Sequence, residues 1–106
     1  MKAERLEAEF RPRAVAYSGG MLLLRSADAI DLVRRAADEG VPILRVNCLI
    51  VSPGRMEEPV DQIADFSASV AQGHGCWEDA ERHIAARTPG PYVFELTLGD
   101  DPLEAV

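Results

Sequence analysis

The sequence predicts an α+β fold: a single small domain in which two helices pack against a mainly antiparallel sheet. Three observations carry that expectation. Ser26 to Glu39 repeats its apolar residues at three-and-four spacing, Tyr92 to Leu98 alternates with the period of a strand, and two apolar runs flank Gly19-Gly20 as in a β-hairpin. At 106 residues the chain has room for one core, and folding at this size buries roughly two thirds of the unfolded surface.

The elements follow in order. Residues 1–12 form a charged, alanine-rich lead-in, either a short helix with Leu6 and Phe10 on one face or an unstructured segment, and Pro12 limits any helix there. The domain spans residues 13–99. Its hairpin joins Ala14-Val15-Ala16-Tyr17 to Met21-Leu22-Leu23-Leu24. Ser26 then offers a capping oxygen, and Asp28 places a negative charge in the first helical turn, where the helix dipole favours it. Ala29, Ile30, Val33, Ala36 and Ala37 share the buried stripe. Gly40 can take the left-handed conformation that ends a helix, and Pro42 prevents its resumption.

Ile43 to Val46 suits a strand, and Cys48 to Val51 a second strand or a continuation, with Asn47 a bend between them. Ser52-Pro53-Gly54 reads as a turn. Arg55 to Ser69 is ambiguous, with Ile63 and Phe66 its expected buried positions, and Ser67 to Gly75 reads as a loop. A second helix covers Cys76 to Arg87, with Trp77, Ala80, Ile84 and Ala85 inward, and Thr88-Pro89-Gly90-Pro91 ends it. In the last strand Tyr92, Phe94, Leu96 and Leu98 face the core, and Val93, Glu95 and Thr97 face away. Residues 100–106 form an acidic tail.

Composition narrows the function classes. Eighteen acidic against eleven basic side chains give a net charge of −7, which repels nucleic acid and anionic membranes and favours a basic protein partner. Apolar runs are too short to span a bilayer. Two cysteines make no disulfide framework, and no secretory leader is evident, so a reducing cytoplasm is the expected setting.

Few constellations suggest chemistry. His74, Cys76 and His83, with Cys48 upstream, are the residue types of a zinc site, but their spacing fits no familiar one and the deaminase pattern is absent. Ordinary helix and loop positions are the favoured reading; a small enzyme or metal-binding protein is the alternative. A thiol nucleophile would need a nearby base. Neither glycine-containing loop has phosphate-loop spacing, and no cofactor is expected. Glu57, Glu58, Asp61 and Asp65 cluster in the ambiguous stretch, while Asp31, Asp38, Glu39, Glu78, Asp79 and Glu81 decorate the helices. Trp77 either packs in the core or anchors an interface. The expected partner-binding residues are therefore Glu57, Glu58, Asp61, Asp65 and Trp77. A homodimer, formed by pairing an exposed strand such as Tyr92 to Leu98 with its own copy, is the remaining alternative.

The block Ala29-Ile30, Ala36-Ala37, Gly40, Ile43-Leu44 and Val46, followed at a distance by Tyr92 to Leu98, resembles the immunity proteins of the colicins that cleave tRNA in the anticodon loop. The likeness covers about half of the chain in two pieces. Asn47-Cys48 replaces an Asp-Gly pair of that family, and the N-terminal hairpin is additional. The resemblance implies an acidic inhibitor whose carboxylates stand in for phosphates in the cleft of a basic ribonuclease.

Overall fold

The computed structural model describes residues 2–18, 21–52, 55–57, 64–88 and 92–99. The chain runs through α1 (Lys2–Phe10), a 3-10 turn (Arg11–Arg13), β1 (Ala16–Ser18), β2 (Met21–Leu24) and α2 (Ser26–Glu39). It continues through β3 (Ile43–Ser52), β4 (Arg55–Glu57), β5 (Ala64–Asp65), α3 (Ser67–Ala71), α4 (Trp77–Ala85) and β6 (Tyr92–Leu98). All strand pairs are antiparallel, in the order β1-β2-β6-β3-β4, with β5 also on β3. The α+β architecture is the expected one.

The unit α2-Gly40-β3 shows how local chemistry sets the layers. Gly40 adopts φ 73°, and its N–H reaches the carbonyls of Ala36 and Ala37. The next amide, Val41, donates to Ala36 at 2.9 Å. This pair of bonds satisfies the last helical carbonyls and turns the chain, so that Val41 and Ile43 enter the core fully buried. At the other end, Ser26 is the first helical residue and not the cap expected from the sequence. Arg25 holds the capping position in an extended conformation without a side-chain bond, and its carbonyl accepts from Ala29 at 2.8 Å.

The N-terminal segment is a helix that belongs to the domain. Ala3, Leu6 and Phe10 are core residues, so the fold begins before residue 13. Arg13 fastens it: its guanidinium lies 4.7 Å from the Phe10 ring centre and reaches Asp28 at 3.3 Å and Asp31 at 3.0 Å. Beside α1, α2 and α4 complete the helical cover. Leu24, Ala29, Leu32, Val33, Val46, Cys48, Ile84 and Phe94 interlock beneath it.

Asn47 does not bend the chain. β3 is one strand of 10 residues, its irregularity lies between Ile43 and Arg45, and Asn47 is buried opposite Glu95. β6 lies between β2 and β3 and is not the exposed edge strand that the homodimer reading took it for. Nor is its outward face wholly exposed: Val93 is buried with Leu23 and Leu49 in a small cluster separate from the main core. Ala85 faces solvent, since the inward positions of α4 are Ala80 and Ile84. Ser67 to Ala71 is a short helix where a loop was expected, started by Asp65, whose Oδ1 accepts the Ser67 N–H at 2.9 Å. Phe66 is half-buried against the core as expected. The expectations for Gly19-Gly20, Pro53-Gly54, Ile63, Pro89 to Pro91 and the acidic tail fall outside the described residues.

Candidate functional site

The acidic residues singled out by the sequence sit where strand pairing builds one border of the sheet. β4 pairs with the C-terminal half of β3, bringing Glu57 opposite Ile50, and β5 pairs with its N-terminal half, bringing Asp65 opposite Arg45. Both are joined to β3, whose other pairing is with β6, so Glu57 and Asp65 share that border. Glu58 and Asp61 lie outside the described residues.

A feature of the charge pattern sharpens this placement. Between Arg55 and Arg82 there is no lysine or arginine, whereas Glu57, Glu58, Asp61, Asp65, Glu78, Asp79 and Glu81 all fall there. The remaining eleven carboxylates are matched by all eleven cations of the chain, so residues 56–81 carry the whole net charge of −7. The clustered carboxylates Glu57, Glu58, Asp61 and Asp65 are thus part of a longer feature, a stretch of 26 residues without lysine or arginine.

Structure and charge also separate committed carboxylates from others. Arg34 meets Glu81 at 2.6 Å, Arg35 meets Glu9 and Glu39 at 3.2 and 3.1 Å, Lys2 meets Glu39 at 3.4 Å, and Arg82 meets Asp79 at 3.4 Å. The pairs of Arg34, of Lys2 and of Arg35 with Glu9 tie neighbouring helices, those of Arg35 with Glu39 and of Arg82 lie within one helix, and at the surface each contributes about 0–1 kcal/mol. Their charge is largely balanced locally. Asp65 is held below the usual carboxylate range by hydrogen bonds from the Ser67 side chain and backbone, aided by Arg45. It starts α3 and stays ionised.

Trp77 is half-buried, and its Nε1–H donates to the Val41 carbonyl at 2.7 Å. Its ring covers Gly75 so closely that a methyl group there would collide with it. The Gly75 carbonyl in turn accepts the Ile43 N–H at 3.0 Å. The segment Gly75-Cys76-Trp77 thus docks α4 onto the start of β3, and the indole is committed to that junction.

The His74, Cys76 and His83 constellation is not drawn together as a ligand set. Among the described residues no three His, Cys, Asp or Glu side chains are placed to hold a metal ion. Cys76 takes φ 64° at the start of α4, and its Sγ lies 3.7 Å from the backbone carbonyl of His74; the contact is to the main chain, not the imidazole. Burial raises the Cys76 thiol, Asp79 raises it further, and a Ser69 hydrogen bond opposes them. Burial likewise raises Cys48, opposed by Arg87. Both thiols are protonated at neutral pH, the wrong state for a nucleophile or a ligand.

Comparison with protein-family models, with curated proteins and with solved structures gives no match. Among the described residues no helix is long and apolar enough to cross a membrane.

Proposed function

We propose that this chain is a non-enzymatic binding protein that neutralises a basic partner, in the manner of an immunity protein against a ribonuclease toxin, and that it works in the cytoplasm. The observation that carries this reading is the confinement of the net charge to residues 56–81, of which Glu57 in β4 and Asp65 in β5 lie on one border of the sheet, near Arg55 and Arg45. A net charge of one sign speeds encounter with a partner of opposite sign and penalises wrong ones. Carboxylates spaced along such a border also offer a cationic RNA-binding cleft the kind of contacts that phosphates make.

The test begins with the reading frame beside this one. The expected product is a small basic nuclease that forms an equimolar complex with this chain and is inhibited by it. Replacing Glu57, Glu58, Asp61 and Asp65 with their amides should weaken the complex while leaving the circular dichroism spectrum intact. Wild-type protein should also lose affinity as salt rises. A neighbouring product that is acidic, or a nuclease whose activity is untouched by equimolar protein at low salt, would overturn the proposal.

A further inference from the structure

The N-terminal helix α1 is attached differently from α3 and α4. Just before those two helices the main chain is tied to β3, by the Phe66 N–H on the Leu44 carbonyl at 2.8 Å and by the Ile43 N–H on the Gly75 carbonyl at 3.0 Å. Among the described residues no backbone hydrogen bond joins residues 2–14 to the rest of the fold, and the first beyond them runs from the Val15 N–H to the Leu23 carbonyl at 2.8 Å. Side chains alone hold α1 in place. Ala3, Leu6 and Phe10 supply the apolar part from one stripe of its nine residues.

Charge supplies the rest, in a regular ladder. Lys2 meets Glu39 at 3.4 Å, Glu9 meets Arg35 at 3.2 Å, and Arg13 meets Asp31 and Asp28 at 3.0 and 3.3 Å. Residue numbers rise along α1 as they fall along α2, so the two helices run antiparallel and are clasped at both ends and between. Their seam is not closely filled: a cavity of about 410 Å³ opens along it, lined by Arg5, Leu6, Ala8, Glu9, Arg35 and Glu39. An isolated helix of this length does not persist in water, so an α1 that leaves α2 loses its helical hydrogen bonds all at once. Ala14, extended between the 3-10 turn and β1, is the joint about which it would leave. We propose that residues 2–14 form a strap that opens as one unit while the sheet stays folded, and that the ion pairs to α2 make its closure depend on ionic strength. Segments with few apolar contacts open well below the cost of global unfolding, and exposed ion pairs weaken as salt rises. Opening releases Asp28 and Asp31 from their cation and uncovers the core around Leu6 and Phe10, so the strap governs the charge and the apolar surface that α2 presents.

The experiment is native-state amide hydrogen exchange on the isotopically labelled full chain, followed residue by residue. The expected result is a common opening constant for the amides of Leu6 to Phe10, at least about tenfold larger than those of Val46 and Leu96 in the sheet. Raising sodium chloride from about 0.1 M to about 1 M should increase it by at least about threefold and leave the sheet amides unchanged. Arg13→Gln, which removes two of the pairs, should increase it at low salt and reduce its salt response. Arg34→Gln removes a pair between α2 and α4 and should leave α1 as it was. The wild-type salt series decides the matter even if Arg13→Gln does not fold. Opening constants equal to those of the sheet would overturn the inference, as would a graded protection that rises steadily from the chain start, the sign of ordinary fraying. A salt response that is absent or shared with the sheet, or an equal effect of Arg34→Gln on α1, would overturn it too.

Discussion

Asn47 and Glu95 offer a test of how the sheet tolerates polarity. Asn47 is only 4% exposed, and its Nδ2 donates to Glu95 Oε1 at 2.8 Å across the β3-β6 pair. Its Oδ1 is buried without a partner. Glu95→Met removes the acceptor and leaves an amide whose oxygen is already unsatisfied, so a loss of about 1–3 kcal/mol is expected. Asn47→Leu takes a donor from a carboxylate that is only half-buried and can turn to water, which places its cost near ~1 kcal/mol. The double variant sets two apolar side chains beside Leu23, Leu49 and Val93, and replacing both partners in this way can be close to neutral. Urea denaturation of the four proteins gives the coupling energy, expected at about 2–4 kcal/mol, the sum of the two single losses. A double variant whose loss equals the sum of the single losses within about 0.5 kcal/mol would refute the reasoning.

Three further outcomes follow. Gly40→Ala forces a β-carbon into a left-handed backbone and should cost about 1–2 kcal/mol, lowering the melting temperature by ~4–8 °C per kcal/mol; Gly40→Asn should recover part of it. Gly75→Ala drives a methyl group into the Trp77 ring, and an overpacking loss of about 1–3 kcal/mol should accompany a shift in the emission of the single tryptophan. Burial holds the Cys48 and Cys76 protons more tightly in the folded chain than in the unfolded one. The stability from this source is complete below the unfolded thiol pKa and is lost as pH rises through the folded values. Alkylation in native buffer should therefore be slow for both thiols and become fast on unfolding, and rapid labelling of the folded protein at neutral pH would contradict the assignment.

What could be read from the sequence was whatever neighbouring residues decide among themselves. Gly40 and Pro42 lie within one turn of the helix end they control, and β1 pairs with β2 as expected, Ala16 opposite Leu23; the stripe of α2 was legible only in part, since Ala29, Val33 and Ala36 are buried while Ala37 is exposed and Leu32 takes a buried place. The failures were non-local. Asn47 resembled a break because the residue that accepts its hydrogen bond lies 48 positions away. Val93 resembled a solvated position because alternation cannot reveal Leu23 and Leu49 on adjoining strands. Ser67 to Ala71 has too few residues to display a helical period, and its start depends on Asp65. Of the candidate site, Asp65 and Glu57 could be recognised by type but not placed on one border of the sheet, since that placement is made by the pairing of β4 and β5 with β3. Trp77 could be recognised as an anchor, but its attachment to Val41 follows from the docking of α4.

The division of one border of the sheet into β4, of three residues, and β5, of two, has a consequence for the protein's own solution behaviour. A long, uninterrupted border strand is a template on which further copies of a chain can stack, and nature blunts such templates with brevity and charge. Here both devices coincide: among the described residues neither piece offers more than a few backbone groups in a row, and charged residues, Arg55, Glu57 and Asp65, stand on both. The same charged, divided border thus protects the protein from aggregation, and neutralising its carboxylates by acid or substitution should make the protein less soluble before it makes it less stable.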